Sequence, residues 1–151
     1  MRPAGHHDTS RIDDAVAYRI LRAARRLRYG LAHALDAWGT GLSPEQFVLL
    51  FRVLERDGLT QRELGDPLLD DRPNISRIVA ALEGRGWVER RPDPADRRVK
   101  RIHSTPEGRA FFDTLRPRIV EERQRIFGGI SDERLEVFLD VLETVEELAL
   151  P

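Results

Sequence analysis

Between Ile12 and Trp38 the chain holds no proline, and Ala17, Ile20, Ala24, Leu27, Leu31, Ala34 and Trp38 recur at alternating spacings of three and four. A helix turns once in about 3.6 residues, so these positions fall on one stripe and predict a long first helix. Leu21 and Leu35 widen the stripe beyond a narrow coiled-coil seam, which calls for two apolar neighbours rather than one. Gly39 and Gly41 end it. Ser43-Pro44-Glu45-Gln46 opens a second helix: the Ser hydroxyl can cap a free amide, Pro presets the first helical φ, and Gln can reach back to the cap. Its predicted apolar face is Phe47, Leu50, Phe51 and Leu54, and Gly58 is placed to close it in a left-handed conformation. Thr60-Gln61-Arg62-Glu63 repeats the capping pattern and starts a short third helix, which Gly65 and Pro67 interrupt.

After Asp70-Asp71-Arg72-Pro73, the positions Ile75, Ile78, Val79 and Leu82 give a fourth helix one buried face, and Gly84 and Gly86 terminate it. Its other face carries Arg72, Asn74, Ser76, Arg77 and Ala80. Trp87 to Arg91 and Val99 to His103 read as short strands around the turn cluster Pro92-Asp93-Pro94-Ala95-Asp96, hence a hairpin. Thr105-Pro106-Glu107 caps a fifth helix with Phe111, Phe112, Leu115, Ile119 and Ile126, in which Pro117 is expected to make a kink. Ser131, Asp132 and Glu133 begin a last helix, where Leu135, Phe138, Leu142, Val145 and Ala149 again step by three and four. The two terminal helices are strongly amphipathic yet flank the compact middle, so they are expected to pack in a dimer.

The chain of 151 residues, 40% hydrophobic and 34% charged, is long enough for one core, and no stretch approaches the apolar length of a membrane span. Without cysteine there is no disulfide framework or thiolate cage, and the first ten residues lack the apolar stretch of a secretory signal. A cytoplasmic location fits. Net charge is only -1, but its distribution is uneven. From Arg85 to His103, Arg85, Arg90, Arg91, Arg97, Arg98, Lys100 and Arg101 face only Glu89, Asp93 and Asp96. The last helix has the opposite sign: Asp132, Glu133, Glu136, Asp140, Glu143, Glu146 and Glu147 stand against Arg134.

Little here points to catalysis. G-x-S-x-G, a Gly-rich phosphate loop and H-E-x-x-H are missing, and the pairs Asp13-Asp14 and Asp70-Asp71 read as solvated helix starts. His6, His7, His33 and His103 lack metal-ligand spacing. Neither an enzymatic activity nor a cofactor is expected.

A short capped helix, a tight connection, a helix with a polar exposed face and a basic hairpin together describe a winged helix-turn-helix. The stretch RGWVERRPDPADRRVKRIHSTPEGRAF, preceded by ISRIVAALE, resembles the signature of MarR-type transcriptional regulators. Their wing reads Asp-x-Arg before a second strand, then Leu-Thr and Gly; here these are Asp96-Arg97-Arg98, Thr105 and Gly108. Two departures stand out. Ser104 occupies a usually apolar position and is expected to loosen the second strand, while Gly65-Asp66-Pro67 disturbs the region between the two helices of the motif.

The expected fold is therefore mainly α with a small β-hairpin, a winged helix-turn-helix with long N- and C-terminal dimerisation helices. Residues 1–10 are expected to form a disordered leader and 11–151 a single domain, with dimerisation helices at about 11–39 and 105–150 and a DNA-binding lobe at about 43–104. An α-helix fits the major groove, where Arg72 and Arg77 can meet guanine or phosphate, Asn74 adenine, and Ser76 a base edge or phosphate. By similarity to the family, Arg98 is the side chain inserted into the minor groove and Asp96 its support, with Arg97 beside them. Gln61 and Arg62 are candidate phosphate contacts. The plainer alternatives are an arginine-solvated helix and a hairpin whose Asp96 caps its own turn while arginines protect an edge strand.

The resemblance also implies a small-molecule pocket beside the dimer helices. Tyr18, Arg22, Tyr29, His33 and Trp38 are candidate lining residues for an aromatic or anionic effector, although ordinary dimer packing explains them equally. The expected function is that of a homodimeric, sequence-specific regulator of transcription, a ligand-responsive repressor on a pseudo-palindromic operator in double-stranded DNA. The rival is a winged-helix adaptor that binds an acidic protein and no specific DNA.

Overall fold

A computed structural model describes residues 15–65 and 72–149. The expected leader, Ile12, His6, His7, Asp13, Asp14, and the Asp66, Pro67, Asp70 and Asp71 positions lie outside the described residues. The order of elements is α1 (Val16–Ala37), α2 (Pro44–Glu55), β1 (Leu59–Thr60), α3 (Gln61–Leu64), α4 (Arg72–Gly84), β2 (Val88–Pro92), β3 (Lys100–Ser104), α5 (Pro106–Phe127) and α6 (Asp132–Ala149). The chain divides into two compact units, residues 1–109 and 110–151. The first holds the helix-turn-helix and the wing.

Both predicted capping boxes are formed. The Ser43 hydroxyl accepts the Gln46 amide at 3.2 Å while the Gln46 side chain accepts the Ser43 amide at 3.0 Å. Thr60 and Glu63 make the same reciprocal pair, at 3.2 and 2.8 Å. Each box satisfies amides that the first helical turn leaves without partners.

The core of the first unit is largely apolar. Leu35 of α1, Leu49, Leu50 and Val53 of α2, Leu59, Leu64, all four predicted positions of α4, Val88 and Ile102 are buried. On α2 the buried face is rotated from the one expected: Leu49 and Val53 are inside, whereas Phe51 is 36% exposed. The helix packs against α4 and β3 as well as α1, and those neighbours decide which side turns inward.

The hairpin forms one residue further along than predicted, and it gains a third strand. The antiparallel sheet has the order β1-β3-β2, with Leu59 opposite Ile102 and Arg90 opposite the same Ile102 from the other side. Gly58 lies in the turn that leads into β1 rather than at the end of α2, which stops at Glu55. Its φ of 82° is a conformation that side chains rarely adopt, and it lets the Gly58 amide reach the Ile102 carbonyl at 3.0 Å. Helix α5 runs through Pro117, whose ring nitrogen has no hydrogen to donate.

Candidate nucleic-acid interface

Part of the predicted polar face of α4 turns outward. Ile75, Ile78, Val79 and Leu82 are buried, while Ser76, Arg77 and Ala80 are exposed and Asn74 is half-buried. Arg72 is the first residue of the helix. The buried positions dictate this arrangement, because a helix with one apolar stripe must turn the remaining residues outward.

The wing turn is built from its own carboxylates. Asp93 Oδ1 accepts the Ala95 amide at 2.7 Å and the Asp96 amide at 3.3 Å, the Asp93 amide donates to the Val99 carbonyl, and the Val99 amide donates to the Asp96 carbonyl. These bonds hold the Asp93 carboxyl below the usual carboxylate range: the Ala95 amide contributes most, then the Arg101 guanidinium. Asp96 caps its own turn, as the plainer alternative has it: its Oδ1 accepts the Arg98 backbone amide at 3.0 Å rather than holding the Arg98 guanidinium. The side chains of Arg97, Arg98 and Lys100 are exposed, and they form no ion pair with a described residue. Arg97 and Arg98 on the turn and Lys100 at the start of β3 are thus left without an ion pair among the described residues.

Helix and wing are joined directly. Arg90 on β2 pairs with Glu83 of α4, its amide donates to Glu83 Oε1 at 3.3 Å, and its guanidinium reaches the Ser76 carbonyl at 3.5 Å. The base of the wing is therefore anchored beside Ser76 and Arg77.

At the other end of β3, Ser104 does not loosen the strand. It is 5% exposed, and both its amide (2.7 Å) and its hydroxyl (3.0 Å) donate to Asp57 Oδ1, while His103 Nδ1 lies 2.8 Å from Asp57 Oδ2. A carboxylate across the sheet replaces the apolar contact usual at this position. The Thr-x-x-Gly part of the signature also has a physical reason. The Thr105 hydroxyl donates to the Gly86 carbonyl and accepts the Gly108 amide, which draws the first turn of α5 against the Trp87 backbone.

Gln61 is half-buried and Arg62 exposed at the start of α3. That helix is four residues long and the Glu63 carboxylate already sits at its amino end, so a phosphate contact there rests on the Arg62 charge more than on a dipole. On α1, Tyr18, Arg22, Tyr29 and His33 share one face by their spacings of four and seven, whereas Trp38 lies past the last turn, out of phase with them. Arg22 stacks on Tyr18 at 5.7 Å, and Arg25 on Tyr29 at 5.6 Å. Among the described residues no three His, Cys, Asp or Glu side chains gather to hold a metal, and no helix is long and apolar enough to cross a membrane.

Three residues that sequence reasoning passed over organise this region: Asp57, Arg101 and Arg85. Arg85 donates to the Thr40 and Gly41 carbonyls at 2.9 and 2.8 Å and stacks on Trp87, tying the end of α4 to the α1–α2 turn. The Thr40 and Gly41 carbonyls bound by Arg85, the Gly58 carbonyl bound by Arg101 and the Ser104 bound by Asp57 lie more than 40 residues away in the chain, beyond any local pattern.

Residues 42–100, which include the whole of α2 to β2 and the wing turn, match the MarR family. The HTH-type transcriptional regulator PrsX of Escherichia coli is 30% identical over 118 residues, covering 78% of this chain and 71% of that protein. CouR from Rhodococcus jostii RHA1, in a crystal structure bound to p-coumaroyl-CoA, is 30% identical with a TM-score of 0.79, over 89% of this chain and 94% of that one. A transcriptional repressor CouR bound to a 23-mer DNA duplex is 25% identical, with a TM-score of 0.77 over 94% and 99% of the two chains. The chain belongs to the MarR family of winged helix-turn-helix, DNA-binding transcriptional regulators.

Proposed function

We propose that the chain acts as a homodimer that represses transcription by placing two copies of α4 in successive major grooves of a pseudo-palindrome, with half-sites about 10 bp apart. Arg72, Asn74, Ser76 and Arg77 read or grip the major groove, Arg98 enters the adjacent minor groove with Arg97 on the flanking phosphates, Asp96 shapes the turn, and Arg62 with Gln61 meets the backbone. The observation that carries this reading is the Arg90–Glu83 pair, which fixes a wing bearing unpaired cations beside the exposed face of α4.

The dimer reading rests on α6. No residue of this helix is buried, and Val137, Phe138, Leu139 and Leu148 are 50–80% exposed on one chain. An apolar surface of that extent marks a contact site, and a second copy is the partner that a two-fold operator requires. An effector that is aromatic and anionic suits the Tyr18, Arg22, Tyr29 and His33 face of α1, and CouR, bound to p-coumaroyl-CoA, offers a relative with such a ligand.

A gel-shift series on the DNA upstream of the chain's own coding sequence, run at two salt concentrations, tests this function. A regulator retains one duplex against excess competitor at both and loses affinity steeply as salt rises. A protein adaptor shows weak, sequence-blind retention.

A further inference from the structure

Arg101 is a basic residue of the wing region that the recognition surface does not use. It stands on β3 between Thr60 of β1 and Arg91 of β2, and its guanidinium is committed in three directions. Nε donates to Asp93 Oδ2, Nη1 donates to the Gly58 carbonyl at 2.9 Å, and the same Nη1 lies 4.0 Å from Glu63 Oε2.

Each of those partners has a second task. Asp93 shapes the wing turn with its other oxygen. Gly58 carries the chain from α2 into the sheet, and Glu63 caps the first helix of the helix-turn-helix. One side chain therefore touches the base of the wing, the entry to β1 and the start of α3.

We propose that Arg101 is the positioning residue of the wing: a strut that sets the turn at a fixed height above the helix-turn-helix, so that Arg98 and α4 reach one duplex together. The inference rests on the wing entering the minor groove, as proposed above. Arginine suits the task because its planar group offers donors in fixed, divergent directions, so Nε can hold the wing while Nη1 holds the strand entry. A lysine ammonium supplies the charge without that geometry. The Arg101 side chain is 37% exposed and that of Asp93 only 11%, but Asp93 keeps the Ala95 and Asp96 amides when the guanidinium is gone, so losing the pair costs a modest part of global stability, whereas a small displacement of an inserted side chain costs much binding.

The test uses the full chain and, as probe, the duplex that the wild type recovers most strongly from a random-sequence pool. Arg101→Leu is expected to weaken binding about tenfold or more, with the melting temperature within a few degrees of wild type. Arg101→Lys is expected to bind nearly as weakly as Arg101→Leu; wild-type affinity in Arg101→Lys would make the residue a mere charge and overturn the proposal. Arg98→Ala should cost far less in the Arg101→Leu background than in the wild type, since the inserted group is already misplaced. Fully additive losses would overturn the strut. Should Arg101→Leu fail to fold, Asp93→Asn, which keeps the acceptor for the turn amides and removes the charge from Arg101, is held to the same non-additivity. A wild type that recovers no duplex refutes the minor-groove reading itself, which separates that failure from a failure of the strut.

Discussion

Arg90 and Glu83 form an ion pair that joins the outgoing strand of the wing to the last turn of α4, and the Arg90 amide adds a second bond to the same carboxylate. Both side chains are partly exposed, so their loss costs only about 0.5–1.5 kcal/mol of stability. The larger effect is expected in binding. Glu83→Ala should weaken affinity for the recovered duplex by more than its loss in urea stability accounts for, as read by fluorescence anisotropy beside equilibrium unfolding. Equal affinity in the two proteins would mean that helix and wing do not need this link.

Gly108 approaches Trp87 so closely that an added Cβ would lie 2.2 Å from the Trp87 carbonyl oxygen. Backbone cannot move aside as a flexible side chain can. Gly108→Ala is therefore expected to destabilise the protein by about 1–3 kcal/mol, whereas Gly84→Ala, which meets nothing within 4 Å, should be neutral or slightly stabilising. Thermal unfolding of the two variants makes the comparison, and similar melting temperatures would contradict it.

Asp57 gives the protein an acid-sensitive element. Partial burial pushes its carboxyl up, but the Ser104 amide, the His103 ring and the Ser104 hydroxyl together outweigh this and hold it below its ordinary value. A lowered folded-state pKa adds stability that is complete above the unfolded value of about 4 and drains away as pH falls through the folded value. The stability gap between wild type and Asp57→Asn should therefore be wide at pH 5 and narrow toward pH 2, as read by urea unfolding at each pH. A gap independent of pH over that range would show that the carboxylate charge is not what holds Ser104.

The elements that announce themselves locally were the legible ones. Ser43 with Gln46 and Thr60 with Glu63 lie three residues apart, and the α4 stripe from Ile75 to Leu82 repeats within one helix, so the sequence displays them directly. Leu59-Thr60 is too short to alternate, and only its pairing with Ile102 and Arg101 makes it a strand. The α2 face was misjudged for a related reason: Leu49 and Phe51 are equally apolar, and neighbours distant in sequence choose between them. The exposed arginines of the wing were readable as charge, but the roles of Arg101 and Asp57 depend on partners brought close only by the sheet.

The proposed subunit contact is tested through Phe138, half exposed on the open face of α6. Phe138→Asp places a charge where an apolar contact with a second copy is expected, and should shift sedimentation from dimer toward monomer at micromolar concentration. An unchanged dimer would move the contact elsewhere.

The central claim is that α4 and the wing meet one duplex at once. Dimethyl sulfate footprinting of the recovered duplex reads both grooves in a single reaction, since it methylates guanine N7 in the major groove and adenine N3 in the minor groove. The account predicts adjacent protections in both grooves of each half-site, with Arg77→Ala releasing the major-groove set and Arg98→Ala the minor-groove set. Protection confined to one groove, or a minor-groove pattern unaltered by Arg98→Ala, would contradict it.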